Sequence, residues 1–160
     1  MQGAKAGFNT HNANQPVDQI IGEQSFDLIV AFDVLEHLDI NQLRASLGAA
    51  YRALRRGGRL IARVPSGDSP FSGAIQHGDI THQTIIGSAM VHQLVHDAGF
   101  NVEAVRAPIL PILKLGLRVF LRRAMVLAVH QIAFALISRI FMGGGNVVLT
   151  PNMVFVLVKP

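Results

Sequence analysis

Asp33, Glu36 and His37 place two carboxylates and an imidazole within five residues, with Val34 and Leu35 between them and Leu38 after. Such groups at the end of a strand can orient a substrate and accept its proton. The competing reading is structural. Asp33 would cap the helix that follows, and Glu36 and His37 would be partly exposed helix residues. From residue chemistry alone the structural reading is the stronger.

A second set, His77, Asp79 and His82, lies in the stretch H-G-D-I-T-H. Imidazole and carboxylate suit zinc or manganese, but no fourth ligand is evident, so no metal is assigned. The same groups could supply a general base or contact a polar sugar, and a plain polar loop is the bland alternative. His92 and His96 share a helix face at i and i+4, yet the Glu that an H-E-x-x-H zinc motif needs after the first His is missing. They read as a solvated face. Gly57-Gly58 and Gly143 to Gly145 read as turns, because neither follows a strand and opens a helix as a phosphate loop must.

The elements that position these groups follow from periodicity. Phe26 to Phe32 is an apolar run broken only by Asp27, which suits a strand buried on both faces of a parallel sheet. Asp39 or Asn41 can cap a helix through about Arg55, with Leu43, Leu47, Ala50 and Leu54 as its apolar stripe. Arg55 and Arg56 suit its C-terminal dipole, and Gly57-Gly58 ends it. Arg59 to Val64 is a second strand, so the order strand–helix–strand forms a βαβ unit with parallel strands. Ser66 to Thr84 is a long polar loop, of a length more often functional than not. A helix over about Gly87 to Ala98 ends at Gly99. Phe100 to Arg106 is a third strand and Asn152 to Lys159 a last one.

Pro108 to Met142 stands apart. Lys114, Arg118 and Arg122 form a cationic stripe at i, i+4 and i+8, joined by Arg123. Ala124 to Ile137 is almost wholly apolar, but its fourteen residues fall short of the roughly twenty that span a bilayer. The segment is either a core helix, or helix pair, covering the sheet, or a helix lying on a membrane surface.

Composition narrows the class. The chain has 160 residues, 50% hydrophobic and 15% charged, enough for one domain with a real core and unlike a disordered chain. It has no cysteine, which removes disulfides and thiolate metal sites. The net charge of +4 is mild and favours acidic partners. With one tyrosine and no aromatic interleaving of basic residues, nucleic-acid binding is not expected. Residues 1–24 are polar and aperiodic and read as a poorly ordered terminus without the apolar core of a signal peptide.

F-D-L-I-V-A-F-D-V-L-E-H-L-D, then an amphipathic helix, L-R-R-G-G-R-L-I-A-R-V-P-S, a further helix and H-D-A-G-F, resembles the second half of the class I S-adenosylmethionine-dependent methyltransferases. The resemblance covers about Ser25 to Val105 and the last strand. It implies an α/β fold over residues 25–160: an incomplete doubly wound, Rossmann-like, mostly parallel sheet with an antiparallel C-terminal edge and a helical insertion at about 108–142. It implies S-adenosyl-L-methionine as cofactor, beside Ala31, Phe32, Asp33, Glu36 and His37, and an acceptor facing His77, Asp79 and His82 as the catalytic set. GDITHQT, the apolar segment and VFVLVKP are similar to members acting on polysaccharides or lipid-linked sugars, so the expected acceptor is a small molecule or saccharide.

The Gly-rich cofactor loop of that family has no counterpart in residues 1–24, which contain no G-x-G-x-G pattern. The chain thus reads as a C-terminal half, a truncated gene, a fragment or a remnant, expected to bind the cofactor weakly or not at all by itself. The alternative function is a non-catalytic remnant that docks on a membrane or protein partner through residues 108–142. The expected location is the cytoplasm, with attachment at the inner face of the membrane as the alternative that goes with residues 108–142.

Overall fold

The computed structural model describes residues 22–109, 116–141, 143 and 147–160. Among the described residues four strands form one sheet: β1 (Phe26–Phe32), β2 (Leu54–Pro65), β3 (Asn101–Arg106) and β4 (Asn152–Val158), in the order β1-β2-β4-β3. β1 and β2 are parallel, as a βαβ crossover requires, and β4 runs antiparallel to both its neighbours. This is the mostly one-way sheet with an antiparallel C-terminal edge that the sequence implies. Expectations for residues 1–21, Lys114, Gly144 and Gly145 lie outside the described residues.

The crossover helix α1 spans Ile40–Ala53. Asp39, not Asn41, is its cap: Oδ1 accepts from Asn41 N at 2.8 Å and Gln42 N at 2.9 Å, while Gln42 Oε1 accepts from Asp39 N at 3.0 Å, a closed capping box. Leu43, Leu47 and Ala50 bury the expected stripe. The short helix α2 (Gly73–Gln76) sits inside the polar loop, and α3 (Ser88–Ala98) ends at Gly99, whose φ of 84° is the left-handed C-terminal geometry that glycine favours. Val91, Leu94 and Val95 of α3 join Leu43, Leu47 and Ala50 of α1 over Leu60, Ala62, Val64, Phe155 and Leu157, so both helices cover the same sheet face in one core.

Three expectations are corrected. The helix through about Arg55 stops at Ala53, and β2 begins at once. Phe26 pairs with Leu54 and Leu28 with Arg59, so Arg55 to Gly58 bulge out of the ladder. Glycine fits there because Gly57 has φ of 77° and a Cβ on Gly58 would lie 2.8 Å from the Arg55 carbonyl oxygen. Arg55 therefore leaves the helix end and donates to Asp27 Oδ2 at 2.7 Å.

Second, β1 is not buried on both faces. Among the described residues it pairs only with β2, and no described helix covers its outer face. Leu28, Val30 and Phe32 are each about half exposed, at 51%, 50% and 50%, while Ile29 and Ala31 turn toward the core. Third, among the described residues the apolar segment is neither a core helix nor a helix pair. It is a single helix α4 (Leu117–Phe141), 25 residues long, with none of its residues buried.

Candidate functional site

The carboxyl ends of β1 and β2 open onto a cleft of about 520 Å³, where ligands bind in open α/β sheets. Asp33, Glu36, His37 and Arg63 line it from the strand ends, Asp79 and His82 from the polar loop, and Asn152 from the start of β4. The two residue sets that the sequence keeps some forty positions apart thus meet at one place.

Asp33 caps no helix. It takes φ of 54°, a left-handed conformation that Asp tolerates better than most residues, and turns its carboxylate to Arg63. Arg63 Nε donates to Asp33 Oδ1 at 3.0 Å and a terminal guanidinium nitrogen donates to Oδ2. The guanidinium also lies 5.3 Å from the Phe32 ring centroid. Arg63 was missed in the sequence. Its signal is a cation inside the apolar strand I-A-R-V, and the register that pairs Phe32 with Arg63 explains its place.

Leu35–His37 form a single 3₁₀ turn, and the polar loop straps it down. The Glu36 carbonyl accepts from Gln83 N at 2.9 Å and Thr84 N at 3.1 Å. Gln83 Nε2 donates to the His37 carbonyl at 2.8 Å, and Thr84 Oγ1 to that of Leu38 at 2.6 Å. The loop's H-Q-T end therefore has a job: it fixes E-H-L below the strand end.

Glu36 is not a partly exposed helix residue. Only 2% of it is accessible, and Oε2 has no hydrogen-bond partner among the described residues. Burial pushes its carboxyl above the usual range, because desolvation opposes the charged form. Asp79 behaves in the opposite way. The Thr81 hydroxyl and then the Thr81 N–H bind its carboxylate, at 2.6 and 2.9 Å, and hold it below the usual range. The Thr81 hydroxyl also lies 2.8 Å from His37 Nδ1, so Thr81 links Asp79 to His37. The rings of His37 and His82 meet edge-on, with centroids 4.7 Å apart. Thr81, absent from the residues singled out in the sequence, lies inside H-G-D-I-T-H and holds that set to the strand end.

Of the expected residues, Asp33, Glu36, His37, Asp79 and His82 are brought together. Ala31 and Phe32 lie at the strand end but do not line the cleft, and His77 is an exposed residue just after α2 that also stays outside it. Within this cleft a carboxylate, two imidazoles and an Asp79–Thr81 relay can orient a polar acceptor and take a proton from it.

Residues 3–105 match the family model for a methyltransferase domain. The chain belongs to that methyltransferase family. The membership brings S-adenosylmethionine as its cofactor. No curated protein matches the chain. Among solved structures, an S-adenosylmethionine-dependent methyltransferase from Archaeoglobus fulgidus is 14% identical with a TM-score of 0.63, covering 97% of this chain and 69% of its own. The complex between the Haloferax volcanii Trm112 methyltransferase activator and a methyltransferase is 18% identical with a TM-score of 0.58, covering 99% and 67%. A Burkholderia thailandensis 1,6-didemethyltoxoflavin-N1-methyltransferase with bound 1,6-didemethyltoxoflavin and S-adenosylhomocysteine is 15% identical with a TM-score of 0.51, covering 91% and 48%. Identities this low establish a shared Rossmann-like α/β fold. The methyltransferase chain spans about half to two thirds of the length of these structures.

Proposed function

We propose that this methyltransferase chain carries the acceptor side of a site that moves a methyl group from S-adenosylmethionine to an oxygen, nitrogen or carbon of a small molecule, with a saccharide as the favoured acceptor class. The observation that carries the reading is the cleft itself. It brings Glu36 and His37 from a strand's carboxyl end against His82 from the polar loop. Its mixed lining of Asp79, Glu36, Asn152 and two imidazoles suits a hydroxylated acceptor.

The residues present offer the donor one uncommitted carboxyl, since Glu36 Oε2 has no partner among the described residues while Asp33 is already paired with Arg63. When bound, the cofactor supplies an electrophilic methyl group. Asp33 would meet its edge from the cleft, with Ala31 and Phe32 next to it in the strand, and Glu36 and His37 would face its cationic centre. His37 and His82 would take the acceptor's proton, and Asp79, through Thr81, would hold the His37 ring in place.

The test is a nuclear magnetic resonance titration of the chain with S-adenosylhomocysteine. Amide shifts are expected at Ala31 to His37, with a dissociation constant in the millimolar range, roughly −4 kcal/mol, because no G-x-G-x-G loop is present in residues 1–24 to complete the cradle. Saturable shifts confined to some other part of the sheet, or none, sink the placement. Micromolar affinity sinks the claim that the loop is needed.

A second reading, docking on a membrane, is favoured by α4. Residues 124–138 carry no charge, and Arg118 and Arg122 stand exposed at one end with Arg139 at the other. At about 1.5 Å per residue the uncharged stretch is shorter than a bilayer core of about 30 Å. His130 and Gln131 lie at its middle, which disfavours spanning and favours lying in the interface, at the inner face of the cytoplasmic membrane. The chain is expected to cosediment with vesicles of phosphatidylcholine and phosphatidylglycerol and to be released by alkaline carbonate. Retention after carbonate argues for spanning, and recovery in the supernatant of untreated vesicles refutes the docking. Vesicle binding without any cofactor-induced amide shift would identify the non-catalytic docking module instead.

A further inference from the structure

We propose that Glu36, His37 and His82 form a three-ligand site for a divalent transition-metal ion of the zinc and cobalt type. One ligand atom from each residue lies within 4.8 Å of the other two. The sequence directs attention to His77, Asp79 and His82 and finds no further ligand. The fold changes the membership: His77 stays outside, Asp79 moves to the layer behind, and the missing donors arrive from the end of β1.

The hydrogen bonds decide which lone pairs are free. The Thr81 hydroxyl has one proton, and Asp79 Oδ1 at 2.6 Å can only accept it. The contact of 2.8 Å between Thr81 Oγ1 and His37 Nδ1 must then use a proton on Nδ1, which leaves the neutral ring's lone pair on Nε2. His82 Nδ1 faces the Gln76 carbonyl at 3.1 Å, and a carbonyl cannot donate, so His82 also keeps its lone pair on Nε2. Glu36 Oε2 is buried without a partner. Each of the three residues thus keeps an acceptor atom that no described neighbour satisfies, and one ligand atom of each lies within 4.8 Å of the other two. A cation is the simplest species that satisfies all three.

The surroundings match what metal sites need. Each imidazole is oriented through its other nitrogen, one by a carboxylate-backed hydroxyl and one by a backbone carbonyl. Bonds of about 2.0–2.2 Å put neighbouring ligand atoms about 3.3 Å apart, so small side-chain rotations close the set around an ion. Two imidazoles and one carboxylate favour zinc, cobalt or manganese over the oxygen-seeking magnesium and calcium. The open cleft leaves coordination positions for water or an acceptor oxygen. With an ion bound, Glu36, His37 and His82 would serve as ligands and not as bases or a sulfonium contact, and the ion itself would lower the pKa of a bound hydroxyl and aim it, which favours acceptors with paired oxygens. That last step rests on the methyl-transfer reading, whereas the binding of the ion does not.

The test is titration of the chelator-stripped full chain with Co²⁺, followed by its visible absorption and by calorimetry. One equivalent is expected. Glu36→Gln and His82→Ala should each lose the absorption band, Thr81→Val should weaken binding about 10- to 100-fold, and His96→Ala, on the exposed face of α3, should bind like the parent. Circular dichroism confirms that each variant is folded. If the folded His82→Ala or Thr81→Val variant binds like the parent, or if the parent takes up no cobalt because a proton shared by Glu36 and an imidazole fills the space, the proposal is wrong. The amide-shift titration with S-adenosylhomocysteine, run on the metal-free chain, reports separately on the cofactor reading.

Discussion

Leu157→Ala is expected to cost about 2–5 kcal/mol of folding stability, the range for emptying a fully buried leucine site. Leu157 has no accessible surface and sits in β4, the strand that joins β2 to β3. It lies beside Leu60 of β2 and Val102 of β3 in the register, and shares the core with Leu60, Phe155 and the apolar faces of α1 and α3. No neighbour can move in without shifting a strand, so the void persists. Against a total of about 5–15 kcal/mol for an ordinary domain, this loss is large. Urea unfolding should show a midpoint lowered by about 1–2 M at an unchanged slope. A loss below about 1 kcal/mol would mean that β4 is not the packed centre of the sheet.

What the sequence made legible was whatever periodicity and local chemistry control. The β1–α1–β2 order, the stripe Leu43, Leu47 and Ala50 and the stop at Gly99 all follow from patterns a few residues long, whereas the antiparallel direction of β4 was implied only by the family resemblance. What it hid was set by distant partners. An apolar run such as Phe26–Phe32 has no periodic signal that separates an inner strand from an edge strand, so its exposed face could not be read from its own residues. The bulge at Arg55 to Gly58 escaped because a glycine pair after a helical stripe looks like a helix stop, and only the β1 and β4 registers show that the chain is already in the sheet. α4 misled in the other direction. Its apolar content suggested a core element, whereas its all-round hydrophobicity finds no sheet face to cover.

The site divides the same way. Asp33, Glu36 and His37 stand out by type, and the resemblance implied that Glu36 and His37 start the next helix, whereas they lie in a separate 3₁₀ turn ahead of α1. That Glu36 is buried depends on the loop forty-odd residues later, through the hydrogen bonds of Gln83 and Thr84 to its carbonyl. That Asp33 binds Arg63 instead of capping α1 depends on β2's register. Thr81 was invisible because a threonine in a polar loop is ordinary until it is seen between a carboxylate and an imidazole.

Lys159→Met is expected to cost about 2–4 kcal/mol, although a lysine next to the last residue would ordinarily be dispensable. Lys159 is only 9% accessible. Its Nζ donates to the carbonyls of Tyr51 at 2.8 Å and Leu54 at 2.7 Å and stands 4.7 Å from the Tyr51 ring centroid. Those carbonyls belong to the end of α1 and the residue after it, where no further turn can satisfy them and where a cation complements the helix dipole. Its backbone closes the β2 bulge as well: Gly57 N donates to the Lys159 carbonyl at 2.8 Å, and Lys159 N to Gly58 O at 3.0 Å. Methionine keeps the stem's packing and removes only the ammonium, so the part-buried Tyr51 carbonyl and the buried Leu54 carbonyl each lose their charged donor, and net hydrogen bonds to a charged group are worth about 1.5–3 kcal/mol each. Some of the loss is recovered because the ammonium no longer has to be desolvated, which is why the expected total falls below the sum of two such bonds. Urea denaturation of Lys159→Met beside Lys159→Arg separates charge from shape: arginine should restore part of the stability through its own donors. Equal stability of Lys159→Met and the parent would show that water, not this side chain, satisfies the end of α1.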